Sequence, residues 1–300
     1  MISVLMLTYN REDMVSRAIE SILAQTYTDY EFIIVDNGST DSSGRIAEGY
    51  AAKDDRIKVI HRERGSIGAG RNTALDAAEG EYIAFIDDDD HAEPGFLKFL
   101  LDLCLENDAD VSICGAADKA FDEKKIMTAE EAVIELMRRK KYNMAFPTKM
   151  FRRELADDLR FPENAKYDDI ALMYKLLANA RRVAYHGLPE YTFYRHENNT
   201  SAWTTDHSLL TAGTLDEYLY AYRTRTVWLS GKFPGSADIF RYFEWSFMIS
   251  MIEKINRLNI KGCEKQLISM TREIGDNRTE FLDCPETAEF EKEWVGRYIK

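Results

Sequence analysis

Four consecutive carboxylates, Asp87-Asp88-Asp89-Asp90, close the stretch that begins Glu81-Tyr82-Ile83-Ala84-Phe85-Ile86. The residues before the acids are apolar and favour strands. A buried strand cannot carry that much negative charge, so the acids belong at its C-terminal mouth. Adjacent carboxylates repel one another, and a divalent cation is the most direct relief. Oxygen ligands of this kind suit Mg²⁺ or Mn²⁺. A solvated acidic loop is the plain alternative. This run, however, directly ends a core-like strand, and ligands of open α/β sheets bind outside the carboxyl ends of strands. A second acid pair, Asp168-Asp169, stands apart at the start of a helical pattern.

The elements that must position these groups alternate. Ile2 to Leu7 reads as a strand ending in Thr8-Tyr9-Asn10, with Asp13 as cap of a helix through about Ala24. Tyr30 to Val35 is a second strand, ending in Asp36-Asn37-Gly38-Ser39-Thr40-Asp41, and a helix starts at about Ser42. Ile57 to His61 is a short third strand, Gly65 to Gly70 a flexible loop, and Arg71 to Ala78 a helix. The acidic strand follows, then a helix after Pro94 and a strand at Val111 to Ala116. Such alternation means a parallel sheet covered by helices on both faces. The polar strand ends then share one edge, so Tyr9-Asn10, Asp36-Asn37 and the acidic run converge.

After Thr128 the pattern changes. Thr128 and Glu131 make a capping box for a helix to about Lys140. Phe146 to Phe151 reads as a short strand, Arg160 to Asn164 as a loop, Tyr167-Asp168-Asp169 as a helix start, and Arg182 to Arg195 as a hairpin around Gly187-Leu188-Pro189. A boundary is expected near Asp206, dividing the chain into 1–205 and a helical region 206–300 broken at 231–235, Gly262 and Gly275. The aromatic residues of that region read as packing.

The 300 residues carry a net charge of −13, with 45% hydrophobic and 30% charged side chains. That describes a globular protein and argues against nucleic acid as a partner. Cys104, Cys114, Cys263 and Cys284 lack zinc or redox spacing and read as reduced thiols. With neither a signal-like start nor a run of twenty apolar residues, the expectation is a cytoplasmic protein whose membrane contact, if any, is peripheral.

The segments Val4-Leu5-Met6-Leu7-Thr8-Tyr9-Asn10, Val35 to Asp41, Gly70-Arg71-Asn72, Phe85 to Asp90 and Tyr167-Asp168-Asp169, in that order, resemble family-2 glycosyltransferases of the GT-A fold. The resemblance covers about residues 1 to 200. It implies a mostly parallel, Rossmann-like sheet sandwiched by helices, and transfer of a sugar from a nucleoside-diphosphate donor to an acceptor hydroxyl of a saccharide or lipid-linked saccharide. Asp87 and Asp89 match the family's metal-binding DxD positions, and Asp88 suits the ribose or a metal-bound water. Tyr9 matches a ring packed near the nucleobase, with Thr8 and Asn10 shaping that pocket. Asp36 and Asn37 stand where the family usually has two aspartates, the second commonly accepting the uracil N–H. Asn37 departs from that pattern, with UDP the default donor nucleotide. Arg71 and Arg195 are implied to reach the nucleotide or its diphosphate, Arg71 alternatively pairing with Asp36 or the acidic mouth. Asp169 matches the general base, beside Asp168. His91 stands where an aromatic is frequent, and reads as a surface histidine. A single-addition, inverting transferase is the implied activity. A non-catalytic nucleotide- and Mg²⁺-binding module would leave Tyr9-Asn10 and Asp168-Asp169 without a purpose. A sugar-1-phosphate nucleotidyltransferase would need a Gly-rich basic loop where Thr8-Tyr9-Asn10-Arg11 stands.

Overall fold

A computed structural model of the chain describes residues 1–118, 120–157, 159–163, 168–196, 202–204 and 206–299. The chain divides into two compact units, Met1–Tyr194 and Arg195–Lys300.

The first unit opens with β1 (Ile2–Thr8), α1 (Val15–Leu23), β2 (Tyr30–Asp36), α2 (Ser43–Ala51), β3 (Ile57–His61), α3 (Ile67–Ala77) and β4 (Tyr82–Asp87). It continues with β5 (His91–Ala92), α4 (Phe96–Glu106), β6 (Val111–Ala116), β7 (Lys124–Met127), α5 (Ala129–Arg138), β8 (Lys149–Arg152), α6 (Asp168–Asn179) and β9 (Val183–Thr192). The strands form one sheet in the order β3-β2-β1-β4-β8-β6-β9-β5, with β7 beside β9. Strands β3, β2, β1 and β4 are mutually parallel. Both faces of that half are buried. Val4, Met6, Phe32, Ile34, Ala84 and Ile86 join α1 and α4 in one core, while Leu5, Ile33, Val35, Ile83 and Phe85, also buried, face the other way. Period-two alternation is therefore absent, as expected of strands covered on both sides.

The sheet is mixed beyond β4, because β8 runs antiparallel to both β4 and β6. The stretch read as a hairpin at Arg182 to Arg195 is one strand, β9, parallel to β6 on one side and antiparallel to β7 on the other. Its register with β6 slips between Cys114 and Ala116, so Gly187 to Pro189 absorb a bulge rather than a turn. Helix α3 begins at Ile67, capped by Ser66 accepting the Ala69 N–H, so the predicted loop at Gly65 to Gly70 is largely helix. Its glycines serve close packing: a Cβ at Gly68 would lie 2.5 Å from the Pro162 carbonyl oxygen, and one at Gly70 2.2 Å from Leu7 Cδ1. Asp13 does not cap α1, whose N-cap is Met14 without a side-chain bond. The Thr128–Glu131 capping box is formed. Tyr167 and Asn164 lie outside the described residues.

The second unit carries α7 (Ala212–Lys232), α8 (Ala237–Leu258), α9 (Glu264–Asp276), α10 (Arg278–Asp283) and α11 (Glu289–Tyr298). Helix α9 ends at Asp276, one residue after Gly275, and α10 follows from Arg278. Its aromatic residues pack on one another, with Tyr222 and Phe247 stacked at 4.3 Å and Trp203 edge-on to Tyr218 at 4.6 Å. Buried Glu291 accepts hydrogen bonds from the hydroxyls of Tyr242 and Ser246. Among the described residues no helix is long and apolar enough to cross a membrane.

The starts of β1 and β4 meet at Gly80, whose N–H donates to Ser3 Oγ at 2.8 Å. A Cβ there would stand 2.5 Å from the Ser3 backbone nitrogen, an atom that cannot swing aside. Gly80→Ala is expected to cost about 1–3 kcal/mol of stability through overpacking. Urea unfolding measures it, and an unchanged midpoint would contradict this account of the β1–β4 junction.

Candidate active site

Because β2, β1 and β4 are adjacent and parallel, their polar ends fall in one row. Thr8 is level with Asp36, and Leu7 with both Val35 and Asp87. Tyr9-Asn10, Asp36-Asn37 and the acidic run are thereby brought together. Asn10 turns through a left-handed conformation (φ 52°), which asparagine tolerates. There its N–H donates to Ser39 Oγ at 3.1 Å and its Oδ1 accepts the Thr40 N–H at 2.8 Å. The Tyr9 N–H donates to Asp88 Oδ2 at 3.3 Å, and Arg11 Nε lies 3.6 Å from Asp88 Oδ1. Thr8 is fully buried next to them. Asp36 accepts the Ser39 N–H at 3.0 Å and meets His61 Nδ1 at 3.0 Å. The side-chain hydrogen bonds to Asp36 and to Glu48 raise the pKa of His61. Asn37 is buried against the chain from Arg62 to Gly65.

The acid pair at the start of α6 reaches this edge through one cation. Arg71, on α3, places Nη1 at 3.0 and 3.1 Å from the two oxygens of Asp168 and hydrogen-bonds Asp169 with the same nitrogen. Its Nη2 lies 3.3 Å from Asp87 Oδ1. The rings of Phe161, Phe85 and Phe146 surround the guanidinium, with centroids 5.5 to 6.0 Å away. Burial disfavours the charge on Arg71, but the three carboxylates outweigh it and the net shift is upward. Of the acid pair, Asp168 is nearly enclosed, with 6% of its side chain exposed, whereas Asp169 keeps 29%. Asp168 therefore anchors, and Asp169 is the carboxylate within reach of a ligand. Burial pushes Asp168 up to about 6, with Arg71 opposing and Asp169 adding.

The acidic mouth is organised from below by a residue that the sequence reading passed over. The Tyr191 hydroxyl donates to Asp90 Oδ2 at 2.8 Å and accepts the Asp87 N–H at 3.2 Å. The Tyr194 N–H donates to Asp90 Oδ1 at 2.8 Å. Asp90 is thus a buried structural acid. Arg17, also unforeseen, hydrogen-bonds the Asp89 carbonyl and stacks on the Tyr194 ring. Tyr191 was hidden in an aromatic strand pattern, where nothing local distinguishes a hydrogen-bonding ring from a packing one. Burial and then mutual repulsion raise Asp87 and Asp88 to about 7 and Asp90 to about 8.

Oxygen donors that resist ionising together fit a hard divalent cation. Among the described residues no three carboxylate, imidazole or thiol side chains stand at ligand spacing. Mg²⁺-type ions are commonly held by one or two carboxylates plus water and a substrate phosphate, so Asp87 and Asp89 fit as a partial ligand set. His91 opens β5, paired with Thr192. Lys149 is a third unforeseen group. It is fully buried, donating Nζ to the Ala145 carbonyl at 2.7 Å, and burial lowers it to about 8. Arg195 and His196 fall within the second unit.

A family model described as Glycosyl transferase family 2 matches residues 3–163. Glycosyltransferase GlyG of Streptococcus pneumoniae is 31% identical over 205 residues, covering 62% of this chain and 67% of that protein. The putative glycosyltransferase EpsH of Bacillus subtilis is 35% identical over 210 residues, covering 65% of this chain and 61% of its own length. Among solved structures, residues 1–349 of S. aureus TarS in complex with UDP-GlcNAc superpose with a TM-score of 0.71 at 23% identity, over 92% of this chain and 80% of that one. The chain thus spans about two thirds or less of the length of these curated relatives.

The mouth makes a pH-dependent demand on the fold. Asp87, Asp88 and Asp90 have raised pKa values when folded. Between about pH 4 and 8 the folded state therefore binds more protons than the unfolded one, and stability falls as pH rises. Thermal unfolding in chelator should give a lower Tm at pH 8 than at pH 5, and millimolar Mn²⁺ should reduce that difference. A Tm that climbs with pH in chelator would refute this picture of the acidic mouth.

Proposed function

Because the chain belongs to glycosyl transferase family 2, we propose that it moves a sugar from a nucleoside-diphosphate donor, with UDP as the nucleotide, onto a hydroxyl of a saccharide or lipid-linked saccharide in surface polysaccharide or glycoconjugate synthesis. The observation that carries this reading is the span of Arg71. One guanidinium joins the end of the acidic strand to a separate acid pair, of which Asp169 is partly exposed. A cation-binding mouth and a base then stand a few ångströms apart, as displacement at a sugar carbon requires. TarS, similar in fold, was solved with UDP-GlcNAc, which is consistent with a UDP-sugar.

In this reading Thr8, Tyr9, Asn10, Asp36, Asn37 and Asp88 form the nucleotide side of the site. Asp87 and Asp89 would hold Mn²⁺ or Mg²⁺, and such an ion, when bound, supplies charge that stabilises the departing diphosphate. Asp169 takes the proton of the acceptor hydroxyl as its oxygen attacks the anomeric carbon. The C–O bond to the diphosphate breaks as the new glycosidic bond forms on the opposite face, which inverts the configuration. Arg71 holds the Asp169 carboxylate in place, and Asp168 fixes Arg71. Membrane contact, if the acceptor is lipid-linked, is peripheral.

Two variants separate these roles. Asp169→Asn preserves shape and removes the base. Turnover should fall about a hundredfold or more, the scale of lost general-base catalysis, with donor affinity little changed. Near-normal turnover, or a product retaining the donor's anomeric configuration by NMR, would overturn the assignment. Asp89→Asn should weaken UDP binding and turnover together. Calorimetric titration of UDP should show tight binding in Mn²⁺ and weak binding in chelator, and equal affinities would remove Asp87 and Asp89 from the metal role.

A further inference from the structure

The chain between β3 and α3 is sewn to the loop after β2. The Arg62 N–H donates to the Asp36 carbonyl at 3.1 Å. Asn37 Oδ1 accepts from Arg62 Nη1 at 3.0 Å and from the Gly65 N–H at 3.3 Å, while Asn37 Nδ2 donates to the Gly65 carbonyl at 3.0 Å. Two glycines make the contact possible. A Cβ at Gly38 would lie 2.6 Å from the Arg64 backbone nitrogen, and one at Gly65 2.9 Å from the Arg62 guanidinium. At the tip, the Arg64 guanidinium lies 3.3 Å above the centroid of the Tyr9 ring, although Arg64 is otherwise exposed.

A side-chain amide offers acceptor and donor together, whereas a carboxylate only accepts. The segment from Arg62 to Gly65 uses both, and Asn37 is 1% exposed. Its hydrogen-bonding groups are spent inward. We infer that Asn37 does not read the donor base: it is a positioning residue that locks residues 62–65, so that Arg64 covers Tyr9 and the Tyr9–Arg64 pair is the surface that meets the nucleobase. This rests on the nucleotide-donor reading above. A planar guanidinium stacked on an aromatic ring presents N–H donors at its rim, which suits a base bearing carbonyl oxygens, such as uracil.

Calorimetric titration of UDP, in Mn²⁺, into the full chain and its variants tests the inference. Asn37→Asp sets a carboxylate oxygen against the Gly65 carbonyl and releases the segment. Arg64→Ala removes the covering cation. Each should weaken UDP roughly three- to tenfold, and the double variant should bind no more weakly than the worse single one, because both act through the same group. Asn37→Asp binding UDP as tightly as the parent or more tightly, or losses that add in the double variant, would mean that residue 37 reads the base itself and overturns the inference. If Asn37→Asp does not fold, as judged by circular dichroism, Arg64→Ala decides alone: parental affinity overturns the inference and weakened affinity supports it. A parent chain that binds none of UDP, GDP and ADP overturns the donor reading and this inference with it. A parent that binds UDP no better than Arg64→Ala does overturns only this inference.

Discussion

A guanidinium buried among three carboxylates is the interaction on which the rest of the first unit depends. Removing Arg71 from water costs several kcal/mol, and only close partners offset it. Asp168, Asp169 and Asp87 are those partners, and the rings of Phe85, Phe146 and Phe161 exclude the water that would screen them. The helix bearing Arg71 must lie close to the sheet for this to happen. Gly68 and Gly70 let it do so, by leaving room for the Pro162 carbonyl and for Leu7. Asn72 completes the arrangement, clasping the backbone of Phe161 through both its amide groups at 2.9 and 3.0 Å. The sequence Gly70-Arg71-Asn72 thus has one physical purpose, which is to hold α3, β4 and the approach to α6 at fixed separation.

Charge at the mouth is only partly balanced, by Arg71 beside Asp87 and by Arg11 beside Asp88. Arg71 compensates Asp87 and the acid pair, and Tyr191 with the Tyr194 amide satisfies Asp90 without neutralising it. Hydrogen bonds to neutral donors orient a carboxylate but leave its charge in place. Burial first, and repulsion among the acids after it, accounts for the upward shifts at Asp87, Asp88 and Asp90. In the proposed reading, a bound divalent cation would meet the rest of the electrostatic demand of acids that the fold already holds in position.

Much of this was legible in the sequence because it rests on local pattern. The apolar runs before Thr8, Asp36 and Asp87 become adjacent parallel strands, and their polar ends share an edge. Thr128 and Glu131 cap a helix as their spacing requires. What escaped depends on partners remote in the chain. Whether Lys149–Arg152 runs parallel or antiparallel is decided by β4 and β6 on either side, not by its four residues. The stretch Val183–Thr192 contains Gly187 and Pro189, a turn signal that sheet pairing on both sides overrides with a bulge. Asp13 has the chemistry of a helix cap, yet α1 starts beyond its reach. For Arg71 the sequence offered the nucleotide, Asp36 or the acidic mouth as partners; it meets Asp87 of that mouth, and also Asp168 and Asp169, which are remote in the chain and were not foreseen as its partners.

The span of Arg71 also bears on how the protein is made. Its hydrogen-bond partner Asp168 lies 97 positions further along the chain. On the ribosome, β1 to β4 and their helices emerge well before that acid does, and they can pair among themselves. During that interval the future core cation has only Asp87 to face and must stay hydrated. The long loop between residue 71 and residue 168 closes late, and contacts of such separation slow folding. The parallel half can therefore collapse early, while the edge around Arg71 is completed only when the start of α6 arrives, making it among the last parts of the unit to acquire its native packing.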